Sequence, residues 1–115
     1  MPRLMSVSLT EDAVVARRKT VTRRTGWLAA KPGDRLTLCR KVMGRRRDEP
    51  LVRLAEVEVV DVRRERLDAI TDADVAREGF GPASASWFVD FFCRHMKVAP
   101  DTEVTRIEWR YIDED

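Results

Sequence analysis

Apolar and polar residues alternate along two long stretches of the chain, which is the period of a strand with one buried face. From Arg35 to Val42, Leu36 and Leu38 share one side of the predicted strand, and Thr37 lies on the other. Residues 31–34 have the sequence KPGD, which predicts a tight turn because proline presets a turn angle and glycine tolerates a positive φ. A turn that leads directly into a strand is therefore expected here.

The longest predicted strand covers residues 51–62, and its alternation changes phase once, at Val59 and Val60. A β-bulge, in which one extra residue is inserted into a strand, would explain the change and would suit a curved sheet. Shorter apolar-rich segments predict a first strand over residues 4–9 and a last strand around residues 107–111.

Three helices are predicted from capping residues and apolar faces. Thr10 is a hydroxyl N-cap for a helix that runs to about Arg18. Residues 71–74 are close to a capping box, and Gly79 predicts the end of that short helix. The third helix covers residues 84–96 and has one broad apolar face, which we expect to lie in the core. The large side chains of this face are Trp87, Phe88, Phe91 and Phe92.

The order of these elements, with few connections long enough for parallel crossovers, predicts an α+β fold. We expect a small curved β-barrel of mixed or antiparallel strands with two to three flanking helices. With 115 residues, of which 43% are hydrophobic, the chain is long enough to bury one core. Residues 1–115 are therefore interpreted as a single domain.

Charge is nearly balanced overall but is clustered along the chain. The net charge is only +2, which is not typical of a strong binder of polyanions. Five of the eight residues in 17–24 are nevertheless cationic, as are five of the eight in 40–47. These two clusters are the candidate contacts for an anionic or electron-rich ligand.

The remaining composition narrows the class of protein. No apolar run approaches the roughly 18 residues of a membrane span, and the first residues lack the features of a secretion signal. Cys39 and Cys93 are the only cysteines, so a cytoplasmic protein with reduced thiols is expected. Two cysteines and one histidine are too few for a structural zinc site, and neither a metal nor a cofactor is predicted.

Residues 17–24, with the sequence RRKTVTRR, bring together a lysine, a hydroxyl and an arginine at close spacing. The Lys19 amine could take the proton of the Thr22 hydroxyl, or the two side chains could together hold a phosphate or a nucleobase. The same spacing is also common at solvated helix ends. The residues alone leave these three interpretations open.

This segment is similar to the signature of ASCH domains, small PUA-like barrels whose short bacterial members carry the pattern G-x-K-x-x-T-x-R. Lys19, Thr22 and Arg24 match the pattern, whereas Arg17 replaces its glycine. The proline-glycine-aspartate turn and residues 76–80 also fall where that family has them, so the resemblance covers essentially the whole chain. It implies one PUA-like ASCH domain with a cationic cleft.

The resemblance implies one of two functions. Some short ASCH proteins are amidohydrolases that remove an acyl group from N4-acylated cytidine nucleosides, and the residues that they use correspond to Lys19, Thr22 and Glu78. Other members are regarded only as RNA-binding modules, through kinship with PUA domains. The expected partner is therefore a nucleoside, a nucleotide or RNA. A protein-interaction domain is a third interpretation, since the basic and acidic segments could pair with a partner surface.

Two opposing effects decide whether Lys19 can act as a base. Burial and neighbouring cations lower a lysine pKa from about 10.4, whereas a nearby Glu78 carboxylate raises it. Glu78 would orient the lysine or protonate the departing amine, and Arg24 or backbone amides would stabilise the oxyanion of a tetrahedral intermediate.

Further ligand contacts are predicted from cations and one aromatic residue. Arg23 and Arg24 would line the cleft, and Trp27, just after the signature, would stack on a base. The second basic cluster is either a solvated hairpin tip or a rim that grips phosphates, through Arg45, Arg46 and Arg47.

Overall fold

The alternating stretches become strands of one mixed five-stranded sheet. The computed structural model describes residues 2–113, and the strands are, in chain order, β1 (Arg3–Ser6), β2 (Val21–Arg24), β3 (Arg35–Cys39), β4 (Arg53–Arg66) and β5 (Glu103–Tyr111). Their order across the sheet is β1-β3-β4-β5-β2. β1 runs parallel to β3, and the other neighbouring strands are antiparallel.

A bulge near its middle bends the longest strand. The pairing of β4 with β5 shifts register between Val59 and Asp61, which leaves Val60 out of the ladder and 42% exposed. An extra residue of this kind increases the local twist of a strand. The predicted bulge is confirmed, and the sheet curls into a half-barrel with three helices, an α+β fold of the PUA-like kind.

The two edge strands of the half-barrel meet through a side chain. Arg24, at the end of β2, donates from Nη2 to the main-chain oxygen of Ser6, at the end of β1, at 2.6 Å. The carbonyl at one sheet edge is thus satisfied by a guanidinium from the other edge. One arginine therefore spans the opening of the half-barrel.

Two hydrophobic clusters stabilise this arrangement. The first joins four strands to the first helix, and its members include Met5, Val14, Leu38, Val57 and Trp109. The second packs the third helix against the ends of β4 and β5, and its members are Leu67, Ile70, Val75, Phe88, Phe92 and Val104. Each fully buried side chain of this size contributes about 1.5–3 kcal/mol.

The segment after β1 departs from its prediction. One turn of 3-10 helix over Ser8–Thr10 precedes α1 (Glu11–Val15), so the first strand is shorter than expected. The Thr10 side chain makes no capping hydrogen bond. Thr10 thus occupies the predicted N-cap position, but its hydroxyl does not cap the helix, and its side chain packs beside Gly79 instead.

The other two helices begin at hydroxyl caps, of which the capping box predicted the one at Thr71. The Thr71 side chain accepts a hydrogen bond from the Asp74 amide at the start of α2 (Asp72–Val75), and Ser84 accepts one from Trp87 at the start of α3 (Ala85–Met96). α2 runs on into a wide helical turn, Ala76–Phe80. No helix within residues 2–113 is long and apolar enough to cross a membrane.

Candidate functional site

The signature segment leaves α1 through a left-handed residue. Arg17 has a φ of 61°, in the region that favours glycine, and a residue in this conformation ends an α-helix. Its guanidinium lies 5.4 Å from the centre of the Tyr111 ring and forms an ion pair with Asp113 at 2.6 Å. Arg17 therefore keeps a glycine-like backbone at the position where the similar signature has glycine, and α1 ends before it at Val15 instead of near Arg18.

The main chain of Lys19 is fixed by two aromatic side chains of β5. Trp109 Nε1 and the Tyr111 hydroxyl both donate to the Lys19 carbonyl, at 3.0 and 2.5 Å. The next residue, Thr20, accepts from the Trp109 amide at 3.0 Å. These contacts lead the chain into β2, a strand that the sequence analysis does not predict.

The Lys19 side chain turns inward and meets the wide turn after α2. Its Nζ donates to the main-chain oxygen of Glu78 at 2.7 Å and to Glu78 Oε1 at 3.2 Å. Arg23 Nη1 donates to the other carboxylate oxygen of Glu78 at 3.1 Å. The Lys19 and Glu78 side chains are each only 4% exposed. Glu78 is therefore held between two cations in a site that is almost closed to water.

Gly79 explains how the wide turn Ala76–Phe80 comes so close to α1. Its φ is 105°, and a Cβ at this position would lie 2.9 Å from Ala13 Cβ and 3.3 Å from Thr10 Cγ2. A side chain would push the turn away from α1. The main chain beside Gly79 is also tied to the signature, because the Thr20 amide donates to the Arg77 carbonyl at 2.9 Å.

Burial lowers the pKa of Lys19 below its ordinary value of 10.5, and this effect outweighs the opposing influence of Glu78. The nearby guanidinium groups of Arg24 and Arg23 lower the pKa further. Desolvation disfavours the charged form of an amine. The neutral amine is therefore more accessible here than on an exposed lysine, which is the condition for Lys19 to accept a proton.

Thr22 lies in β2 and is buried, with 3% of its surface exposed. Arg24 Nε donates to Thr22 Oγ1 at 3.3 Å, so the threonine oxygen is an acceptor in this contact. The hydroxyl proton of Thr22 remains available for another partner. A cationic donor on an oxygen also favours negative charge there, which suits a nucleophile.

A second layer of buried charges lies behind Glu78. Arg23 Nη2 donates to Asp74, and Arg106 donates to both oxygens of Asp74, at 2.8 and 3.1 Å. Burial alone would raise the pKa of Asp74, but hydrogen bonds from Arg106, Arg23 and Arg77 hold it well below its usual range. Within the described residues, Arg23 Nε has no hydrogen-bond partner.

Sequence reasoning missed the role of Asp74 and Arg106. Arg23 and Arg106 are direct partners across β2 and β5, and like charges placed opposite each other are destabilising. A carboxylate between them is therefore needed, and Asp74 supplies it. Had β2 been identified as a strand paired with β5, this facing pair of arginines would have been the signal.

Lys19, Thr22 and Glu78 border one cavity of about 490 Å³ at the opening of the half-barrel. This is an ordinary size for a small-molecule site. One part of the wall is polar and is formed by Lys19, Thr22, Arg23, Arg24 and Glu78. The other part is apolar and includes Leu9, Phe80, Phe88, Phe91, Phe92 and Met96.

The predicted α3 face is divided between core and surface. Phe88 and Phe92 are buried as expected, but Trp87 is 41% exposed, so its assignment to the core is wrong. Trp87 instead stacks on Phe91, with ring centres 5.1 Å apart and planes tilted by 7°. The neighbouring face of the helix, with Phe88 and Phe92, fills the second cluster.

The remaining predicted ligand contacts fall in two places. Trp27 lines the cavity, and the Arg3 guanidinium covers its ring at 3.9 Å from the centroid. Arg23 also borders the cavity, although its side chain is only 1% exposed and is engaged by carboxylates. The structure does not bring the second basic cluster to the cavity wall, which contains none of Arg45, Arg46 and Arg47.

The exposed loop that carries these three arginines is held by short-range hydrogen bonds between its main chain and its side chains. Arg45 Nε donates to the Val42 carbonyl at 3.0 Å, and the Arg46 amide donates to Glu49 at 3.0 Å. Within residues 2–113, no group of His, Cys, Asp or Glu side chains is arranged to hold a metal ion.

The sequence matches no family model and no curated protein. The fold, in contrast, is similar to solved structures. A DUF984 family protein from Enterococcus faecalis matches with a TM-score of 0.69 and 16% identity, over 98% of this chain and 81% of that one.

Two ASCH domains are also similar in fold. The one from Lactobacillus crispatus matches with a TM-score of 0.62 and 15% identity, over 90% of this chain and 70% of that one. The one from Zymomonas mobilis matches with a TM-score of 0.61 and 16% identity, over 93% of this chain and 65% of that one. The chain therefore has the fold of ASCH domains, as its signature predicts.

Proposed function

We propose that the protein is an amidohydrolase that removes the acyl group from an N4-acylated cytidine nucleoside bound in the cavity. The observation that carries the proposal is the buried amine of Lys19, which has a lowered pKa, is held by Glu78 and shares a cavity with Thr22. The fold and signature of ASCH domains support the same assignment.

In the first step, Thr22 Oγ1 attacks the carbonyl carbon of the acyl group while neutral Lys19 takes the hydroxyl proton. A neutral amine has two N–H bonds and one lone pair. Its two hydrogens suit the two acceptors that Glu78 offers, the main-chain oxygen and Oε1, and the lone pair is then free for the proton of Thr22. Glu78 thus acts as the group that orients the base.

The tetrahedral intermediate carries a negative oxygen, which the Arg24 guanidinium stabilises. When the bond from carbon to N4 breaks, the Lys19 ammonium returns its proton to N4, and cytidine leaves. The acyl group remains as an ester on Thr22. A water molecule then attacks this ester with Lys19 again as the base, and the carboxylic acid leaves with the threonine hydroxyl restored.

The proposal is tested by incubating the protein with N4-acetylcytidine and measuring cytidine release by chromatography. Thr22→Ala and Lys19→Ala should each abolish release, and Thr22→Ser should retain part of it, since serine keeps the hydroxyl. Thr25→Ala is the matched control, because Thr25 also lines the cavity but is exposed and lies outside the Lys19, Thr22 and Arg24 pattern. Cytidine release that persists in Thr22→Ala would contradict the mechanism.

A second candidate is a non-catalytic RNA-binding module. It is favoured by the exposed loop with Arg45, Arg46 and Arg47, because none of these three guanidinium groups has an ion-pair partner among residues 2–113. Cations of this kind bind phosphates by releasing counterions, so RNA affinity should fall steeply with salt. Replacing all three arginines by glutamine should reduce that dependence in a filter-binding titration, and an unchanged slope would count against this candidate.

A further inference from the structure

The apolar part of the cavity wall is larger than an acetyl group requires. Phe80 is central to it, with its ring centre 5.4 Å from that of Phe91 and 5.6 Å from that of Phe88. These rings are contributed by the wide turn after α2 and by α3. The same turn carries Glu78 only two residues before Phe80, so the polar and apolar parts of the wall are continuous.

Two exposed apolar side chains stand at the mouth of the cavity, beside the polar Ser8, Thr25 and His95. Leu9 is 58% exposed and Met96 is 45% exposed, and both border the cavity. Because Leu9 and Met96 border the cavity beside Phe80 and Phe91, they extend its apolar wall to the surface and offer area that a bound ligand can cover. Apolar ligand groups bind such surfaces in proportion to the area that they remove from water.

We propose that this apolar region, formed by Leu9, Phe80, Phe91 and Met96, is an acyl-group subsite. It selects amides whose acyl group is a medium-length alkyl chain or an aromatic ring over the acetyl amide. The inference rests on the proposed amidohydrolase function and names its substrate class. With the acyl carbonyl at Thr22, a longer acyl group extends from the polar wall along Phe80 toward Leu9 and Met96.

The chain offers a matched control for its two rim residues. Leu28 is 73% exposed and Met43 is 86% exposed, and neither borders the cavity. The double variant Leu9→Ala with Met96→Ala removes a leucine and a methionine from the rim. The double variant Leu28→Ala with Met43→Ala removes the same two residue types elsewhere on the surface. All four side chains are exposed, so both variants are expected to fold.

The experiment measures both turnover and binding for a series of cytidines with N4-acetyl, N4-butanoyl, N4-hexanoyl and N4-benzoyl groups. Each added methylene that enters the subsite should raise kcat/KM by about two- to fourfold. The rim variant should lose at least about tenfold on the hexanoyl substrate and much less on the acetyl substrate. The control variant should match the wild-type protein on every substrate.

Binding of the same compounds to Thr22→Ala, measured by calorimetry, separates this inference from the proposed function. Affinity that rises with the length of the acyl chain, and that falls when Leu9→Ala and Met96→Ala are added to Thr22→Ala, supports the subsite. This holds even if the wild-type protein cleaves none of the compounds. An acetyl compound that is cleaved and bound as well as the longer ones overturns the subsite and leaves the amidohydrolase intact. Absence of binding by every compound overturns both.

Discussion

Lys19 and Glu78 lie 59 residues apart in the chain, and the lysine amino group contacts both the main-chain carbonyl and the carboxylate of Glu78. The contact joins the start of β2 to the wide turn after α2. Because both side chains are almost fully buried, water does not screen the interaction of the amino group with the carboxylate. The pair is therefore both a structural link and the candidate chemical centre.

The first prediction concerns pH. The pKa of Lys19 in the folded protein lies below 10.5, its ordinary value in the unfolded chain. Between these two pKa values, the Lys19 amine is protonated in the unfolded chain but neutral in the folded protein. The unfolding free energy should rise with pH across that interval, by at most about 1.4 kcal/mol per pH unit. Urea denaturation of the wild-type protein and Lys19→Met from pH 7 to 10 gives the difference. Parallel curves for the two proteins would refute the lowered pKa.

Activity should follow the same titration. kcat/KM for an N4-acylcytidine is expected to rise with pH as the Lys19 amine becomes neutral, with a midpoint below 10.5. A pH-rate profile measured with the wild-type protein tests this directly. A profile that falls over this alkaline range would show that the protonated amine is the active form.

The second prediction concerns Asp74. Asp74→Asn leaves Arg23 and Arg106 facing each other without the carboxylate that both contact. Loss of one partner from a buried ionic group costs about 3–5 kcal/mol of unfolding free energy. Asp90→Asn is the control, because the pair of Asp90 with Arg94 is exposed and contributes less than about 1 kcal/mol. Equal effects of the two substitutions in chemical denaturation would contradict the buried network.

The lowered pKa of Asp74 also gives a direction for acid stability. Its stabilising contribution is present above pH 3.8, the ordinary pKa of the group, and is lost as the pH falls below that value toward the lower pKa of the folded protein. Acid denaturation of Asp74→Asn should therefore lack this component of the wild-type curve.

The third prediction separates strain from steric overlap. Gly79→Ala places a methyl group 2.9 Å from Ala13 Cβ and also forces alanine to adopt a φ of 105°. Gly33→Ala imposes a similar φ of 93°, but nothing lies within 4 Å of its new Cβ. We expect about 1 kcal/mol of destabilisation for Gly33→Ala and about 2–4 kcal/mol for Gly79→Ala, measured by urea denaturation. Only Gly79→Ala should also reduce cytidine release, because it displaces Glu78.

The fourth prediction concerns Arg17. Residue 17 has a φ of 61°. Glycine adopts this φ without a steric penalty, whereas the Cβ of alanine makes it unfavourable. Arg17→Gly should therefore be more stable than Arg17→Ala by about 1 kcal/mol in thermal or chemical denaturation. Both variants lose the contacts with Asp113 and Tyr111. The difference in stability between them therefore measures the cost of the left-handed backbone conformation. Identical stabilities would show that the left-handed conformation carries no cost here.

Local patterns predicted much of the fold because they act within a few residues. The hydroxyl of Thr71 caps its helix as the capping box predicts, and the phase change at Val59 and Val60 marks the bulge. The strand β2 was missed because Thr22 and Arg23 are both buried, so no alternation of apolar and polar residues marks it. Tertiary contacts, rather than local propensity, make this segment a strand.

The candidate site was predicted only in part for a related reason. The resemblance identified Lys19, Thr22 and Glu78, and the structure brings all three to one cavity. The sequence analysis left open whether burial or Glu78 governs the lysine pKa, because desolvation depends on packing among distant segments. The pairing of Asp74 with Arg106 depends equally on contacts between elements far apart in the chain.

The attachment of Lys19 to β5 has a consequence for protein synthesis. β2 pairs with β5, and both donors to the Lys19 carbonyl, Trp109 and Tyr111, belong to that strand. A nascent chain whose translation has not passed residue 103 thus carries the signature but lacks the strand that orders it. The ribosome must release residues 103–111 before β2 can pair with β5, so the growing polypeptide completes this wall of the cavity late in its synthesis.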